Sequence, residues 1–460
     1  MQQTETATRH SLRHWLLFLL PSLMGVFLFM VPIQQADGVT IPIAALAKWL
    51  KATFALHLPL AVTVIVVASA ILSTLYSLYR WKTGQKLRCH FFASLFEVTP
   101  VWLCTRILGA IFIVMTYRKW GTEMIYSGGT GGLVLNDLLP LLLAVFTLAG
   151  LLLPLLLNFG LLELFGTLFT KLMRPVFGLP GSASVNCIAS WLGDGSVGVL
   201  LTSKQYQAGQ YTEREAAIIG TTFSAVSITF CFVVLSTVKL SELFLHFYLT
   251  VCFAGVIAAI VVPRLPPLSR KRQCYIDGRV PTGHEEDVNA GESMWRVGLD
   301  RGLNKAAEVT SLTRVAQGGL HNALDMVFGV LPIVMAVGTI ALMIAEYTPV
   351  FDWLGMPFVP LLEALHLPEA QAASKTIMIG FADMFVPAIL ASTIESDMTR
   401  FVIAALSVTQ LIYMSEIGAL MLGSKIPVNV FELFVIFILR TLVTLPVIVL
   451  MAHLIFGYLV

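Results

Sequence analysis

The chain has 460 residues, 57% of them hydrophobic and only 12% charged, with a net charge of +2. A soluble domain carries about 25% charged residues, so most of this surface must face something other than water. The near-neutral balance argues against nucleic acid as a partner, and a mean hydropathy of +0.84 points to an all-α polytopic membrane protein in a lipid bilayer.

In chain order, Arg9 and Arg13 precede an apolar run from Trp15 to Pro32. The run is long for a signal peptide and no A-x-A-like site follows, so a retained first span is expected. Nine stretches are near the ~20 residues that cross a bilayer: 15–33, 59–79, 92–117, 137–159, 214–238, 243–263, 320–346, 400–422 and 430–457. Residues 1–136 form a three-span N-terminal region. The only long polar insertion, 264–319, is too short and too poor in apolar residues for a catalytic domain. Its second half, from Trp295 to Leu312, has the periodicity of an amphipathic helix. Arg80, Lys82, Lys171, Arg174 and the basic residues of 264–319 fall on one side, and far fewer basic residues fall on the other. Positive residues stay cytoplasmic, which predicts a bacterial inner-membrane protein with a cytoplasmic N-terminus and a periplasmic C-terminus.

Two apolar segments, 180–203 and 369–393, are interrupted. Both begin Leu-Pro, at Leu179-Pro180 and Leu367-Pro368, and both carry a central aspartate. Counted from Asp194 and Asp383, Val197 matches Val386, Leu201 matches Leu390 and Ser203 matches Ser392. Each follows a span and an amphipathic stretch (161–178 and 347–366) and precedes two more spans. Two crossings would need about 40 residues, so each segment is expected to be a re-entrant hairpin broken at mid-depth. Hairpins that return to their own side leave three crossings per repeat, and an odd number inverts the second repeat, 320–460, relative to the first, 137–263. Paired broken segments in inverted repeats mark a binding site at their interface.

Asp194 and Asp383 are the sharpest candidates for that site. A carboxylate at mid-depth costs about 2.5–3.5 kcal/mol, and it would bind Na⁺, exchange H⁺ or pair with an amine. The competing reading is a cap on the second half-helix of each hairpin. Asn186 and Ser190 precede Asp194 at helical spacing. Ser224, Ser227 and Thr229 follow the first hairpin, and Ser407, Gln410 and Glu416 follow the second; these contact solute or merely link helices. Glu97, Arg106 and Arg440 are further intramembrane charges, read as structural ion pairs, although Glu97 and Arg106 face opposite sides of one helix. The six cysteines include no CxxC and are read as small apolar residues, with neither a disulfide framework nor a metal site. The glycine run from Gly128 to Gly132 lacks the following Lys-Ser/Thr of a P-loop.

The order of elements and the stretch LGDGSVGVLLTSKQYQAGQYTEREAA, residues 192–217, resemble the Gate, or nucleoside-recognition, family. Concentrative nucleoside transporters, the membrane part of ferrous-iron transporters and spore-maturation membrane proteins share that fold, and the YjiH-like bacterial membrane proteins are most similar. The resemblance covers about residues 137–457. It implies an elevator-like secondary transporter of a small polar solute, a scaffold around 137–159 and 320–346, a homo-oligomer, and room for a second Gate-family subunit. Where nucleoside transporters carry a Thr-Glu-Ala-Pro-like run and an Asn-Glu pair, this chain has Leu192-Gly193-Asp194-Gly195 and Ala382-Asp383, which argues against nucleosides. Two other readings compete: a non-transporting assembly or signalling subunit, and an intramembrane aspartyl protease. The protease motif fails at Trp191, where glycine is required, and at Ala382, where tyrosine is. No catalytic residue and no cofactor is expected beyond the coupling ion.

Overall fold

The computed structural model describes residues 11–35, 38–83, 95–192, 195–223, 226, 228–281 and 293–458. Seven described helical segments are long and apolar enough to cross a membrane: Leu12–Phe29, Leu58–Thr83, Pro100–Arg118, Glu123–Leu157, Ser241–Arg264, Leu312–Tyr347 and Val430–Gly457. A two-stranded ribbon, β1 (Ile33–Gln35) and β2 (Gly38–Thr40), pairs Ile33 with Thr40 after the first helix. This is a multi-pass all-α membrane fold.

The N-terminal region comprises α1 (Leu12–Met30), α2 (Pro42–Thr53), α3 (Leu58–Thr83) and α4 (Pro100–Arg118). Helices α3 and α4 pack together and onto the long helix described below. The first repeat then runs through α5 (Leu139–Leu152), α6 (Leu161–Phe177), α7 (Ala183–Leu192), α8 (Gly195–Gln207), α9 (Glu213–Ile218), α10 (Ile228–Thr237) and α11 (Phe244–Val261). Helix α6 is the expected amphipathic helix. It is framed by Gly160 and Gly178, both at positive φ, where glycine ends or opens a helix without steric cost. In the polar insertion, α12 (Met294–Ala307) lies against α6, and Gly160 and Gly302 let the two backbones touch: a Cβ on Gly160 would sit 2.1 Å from the Gly302 carbonyl oxygen.

The second repeat begins with α13 (Leu312–Tyr347), whose 36 residues span about 54 Å at 1.5 Å per residue. This helix packs on α3, α4 and α5 and forms the spine of the molecule. The stretch 347–366 is not one amphipathic helix. Pro349, Pro357 and Pro360 each open a new short turn, Val350–Gly355, Met356–Phe358 and Val359–Ala364, because proline fits the first turn of a helix and not its interior. Then come α14 (Ala370–Ile379), α15 (Val386–Ala391), α16 (Asp397–Gln410), α17 (Ile417–Gly423) and α18 (Val430–Tyr458).

Two of the nine spans read from sequence as continuous are broken. The segment 214–238 is α9, a π-helical turn at Ile219–Phe223 and α10. The segment 400–422 is α16, an irregular stretch through 411–416 and α17. Leu411 takes a left-handed φ of 60° there. Within a bilayer a break survives only where the freed backbone groups find protein partners. They do here: Met414 N–H donates to the Phe381 carbonyl at 2.7 Å, and Ser415 N–H to that of Ala382 at 2.9 Å.

Contacts at the two ends place the hairpins. At one end, Lys425 N–H donates to Ser203 Oγ at 3.4 Å and Lys271 pairs with Glu432 at 2.7 Å. At the other, Arg400 donates to the Val238 carbonyl at 3.0 Å, Thr399 Oγ to that of Pro368 at 2.7 Å, and a His453 ring nitrogen lies 3.1 Å from the Leu365 carbonyl. Helix α18 starts among the first group and finishes among the second, so the hairpins open toward opposite ends.

Candidate solute and ion site

In the first hairpin, α7 and α8 run antiparallel. Asn186 Nδ2 donates to Thr202 Oγ1 at 3.1 Å and to Gln205 Oε1 at 2.7 Å. One turn nearer the tip, Ser190 lies against Gly198, where a Cβ would come within 2.7 Å of the serine Cβ. Asn186 and Ser190 are both buried, and this geometry makes them the clasp between the two arms. Asp194, Ser224 and Ser227 lie outside the described residues.

In the second hairpin the chain turns at 380–385. Asp383 is buried; its Oδ1 accepts from the backbone N–H of Phe385 at 2.8 Å and of Val386 at 3.2 Å. That is the cap anticipated for α15. Its Oδ2 accepts from Ser415 Oγ at 2.8 Å, which ties the hairpin tip to the break in the following span. Gln410 makes a second tie. Its amide nitrogen donates to the Ile377 carbonyl at 3.1 Å and to Thr441 Oγ1 at 2.9 Å. Its oxygen fills the space where a side chain on Gly380 would be, 2.1 Å from an added Cβ. Glu416 is buried at the start of α17.

The three further charges divide. Glu97 lies just before α4, which begins at Pro100, so it shares no helix with Arg106 and stands outside that span; it forms an ion pair with Arg80 at 2.5 Å. Arg106 and Arg440 do not follow the ion-pair expectation. Arg106 donates to Ser73 Oγ at 2.7 Å and to the Leu95 carbonyl at 3.2 Å. Arg440, from α18, is 1% exposed. Its Nε and one terminal nitrogen donate to the Thr409 carbonyl at 3.1 and 2.7 Å, and the other terminal nitrogen donates to those of Thr221 and Thr222 at 3.3 and 3.4 Å. The physical reason is that Thr409 lies in the last turn of α16, where carbonyls have no intrahelical partner, and a planar guanidinium can serve several carbonyls at once. One side chain therefore joins the broken stretches of both repeats. Sequence reasoning noted its charge and missed its partners, since backbone carbonyls leave no mark in a sequence.

Described residues next to these turns come together. Phe230 beyond the first break stacks edge-on with Phe385 of the second hairpin at 5.8 Å. A cavity of about 30 Å³ is lined by Trp191 from the first hairpin, Thr222 and Val226 from the first break, Thr409 and Leu411 from the second, and Arg440.

The Gate family model, described as nucleoside recognition, matches residues 139–241, from α5 through the first hairpin and first broken span. An uncharacterised protein of Alkalihalophilus pseudofirmus is 48% identical over 439 residues, covering 95% of this chain and 94% of that protein. The chain belongs to the same family as that uncharacterised protein, and its residues 139–241 carry a Gate domain. Two solved structures are also similar to this Gate protein. CNTnw, as a variant in an outward-facing state, matches with 15% identity over 97% of this chain and 99% of that chain at a TM-score of 0.42. CNTnw in an inward-facing, substrate-bound state matches with 15% identity over 91% and 99% at 0.36. Similarity at this level carries no residue roles across to the Gate chain.

Proposed function

We propose that the chain is an ion-coupled secondary transporter of a small polar metabolite, with its binding site where the two hairpin tips meet the two broken spans. The observation that supports this most is that Arg440 joins the π-helical turn at 219–223 to Thr409 beside the irregular stretch 411–416, which Met414 and Ser415 tie to the turn of the second hairpin. Non-helical backbone at membrane depth is costly unless it lines a cavity or is held by protein, and broken helices in paired repeats are how transporters expose backbone and side chains to a solute. Hairpins that open toward opposite ends fit alternating, elevator-like access. Asp383, Gln410 and Glu416 are the described candidates to contact solute or ion, Asp194, Ser224 and Ser227 are candidates outside the described residues, and Na⁺ or H⁺ supplies the gradient. The charge distribution favours the inner membrane of a bacterium with the N-terminus cytoplasmic, and the exposed apolar helices fit a homo-oligomer, with or without a second Gate-family subunit.

Purified protein in proteoliposomes, given an inward Na⁺ or H⁺ gradient and a panel of radiolabelled polar metabolites, tests the reading. Gradient-dependent uptake of one chemical class supports it. Absence of uptake together with stable binding to another membrane protein favours the assembly role, and cleavage of a model transmembrane peptide favours the protease.

A further inference from the structure

We infer that Arg440 is the recognition point for a compact anion: the carboxylate or phosphate head of the solute, or a free halide that travels with it. This rests on the transporter reading and narrows its substrate class. A guanidinium has five N–H donors. At Arg440, four bonds go to the carbonyls of Thr221, Thr222 and Thr409, which leaves one N–H on the terminal nitrogen that meets Thr409. All of these partners are neutral, and among the described residues Arg440 has no ion pair. Taking such a cation out of water costs several kcal/mol, and neutral carbonyls offset only part of that. A cavity adjoins the group, and its walls are mostly apolar, with Trp191, Val226 and Leu411 among them. Low polarity strengthens any charge–charge contact made there. The cavity's 30 Å³ admits a group the size of one or two waters, which suits a halide or the head of an acid and excludes a whole nucleobase in this conformation. Because Arg440 holds carbonyls of both breaks, an anion on it would be sensed by both repeats at once, a natural point for coupling occupancy to movement.

The test uses the full chain in detergent, at constant sodium, with the bulky HEPES anion, which carries no carboxylate or phosphate, as the background anion. Melting temperature is followed on adding sodium acetate, sodium phosphate or sodium chloride, with acetamide as the neutral shape-mimic of acetate. At least one anion is expected to stabilise saturably while acetamide does not. Stabilisation by acetate or phosphate assigns the anion to the solute, and stabilisation by chloride alone assigns it to a co-transported ion. Cys252 also lines the cavity and takes no part in the hydrogen bonds that hold Arg440, so Cys252→Phe crowds the space while leaving both partners of those bonds in the chain. Anion affinity is expected to fall by about tenfold or more, equivalent to about 1.4 kcal/mol, in this variant, and Arg440→Lys is expected to weaken it while keeping the charge. Equal shifts with acetate and acetamide, no shift with any anion, or full anion affinity in Cys252→Phe would each overturn the inference. If a neutral metabolite is taken up while no anion binds, the transporter reading stands and the anion assignment alone falls.

Discussion

Asp383 at the tip of the second hairpin and Ser415 in the break of the following span are joined by a 2.8 Å hydrogen bond. The same carboxylate caps α15 through two backbone N–H groups. One side chain therefore shapes the hairpin turn and fixes it to the neighbouring broken helix.

That double duty separates shape from charge. An asparagine at 383 keeps an oxygen for the two backbone donors and offers an N–H to Ser415 Oγ, so Asp383→Asn is expected to melt close to the native protein. Asp383→Ala leaves the cap donors and the Ser415 hydroxyl unpaired and is expected to cost about 2 kcal/mol or more. If the charge also serves the coupling ion, Asp383→Asn abolishes uptake despite its normal melting. Normal uptake by Asp383→Asn at every pH would confine Asp383 to a structural cap.

Lys204 on the return arm of the first hairpin and Asp325 on α13 form a 2.5 Å ion pair with the lysine almost fully enclosed. Removing one partner strands the other, at a cost of about 3–5 kcal/mol for a buried pair. Lys204→Met and Asp325→Leu are each expected to lower the melting temperature strongly, and the double variant less than either. Additive losses in the cycle would show that the pair is not coupled.

Gly109 brings α4 onto α13 so closely that an added Cβ would lie 2.1 Å from the Pro332 carbonyl oxygen. Alanine ordinarily favours a helix over glycine by about 1 kcal/mol. Here the sign is expected to reverse, with Gly109→Ala melting below the native protein because the backbones must separate. A rise in melting temperature would mean that the two helices are not in contact at this point.

The topology gives a further check. Lys271 bound to Glu432 puts the polar insertion and the start of α18 at one end, so the far end of α18 must lie across the bilayer. A reporter fused at Gly283 is expected to read cytoplasmic and one at the C-terminus periplasmic. Reporters on the same side would contradict the inverted arrangement.

Much of this architecture was legible in the residues alone. The apolar runs and the missing charge required a membrane fold, because a bilayer demands about 20 apolar residues per crossing. The paired Leu-Pro and Asp marked two interrupted segments, because proline and buried carboxylates are punctuation that a continuous span avoids. What the residues could not show was where the breaks lie in the spans that follow. The runs at 214–238 and 400–422 carry scattered polar residues that do not say where a helix stops, and the second opens where Arg440 and the tip of the second hairpin, far away in sequence, supply hydrogen bonds in place of the helix's own. Likewise Asn186 and Ser190 have the composition of a binding site, and only the antiparallel packing of α7 and α8 turns them into a clasp. Hydropathy is local and survives in sequence; hydrogen-bond partnership between distant carbonyls and side chains exists only once the chain has folded.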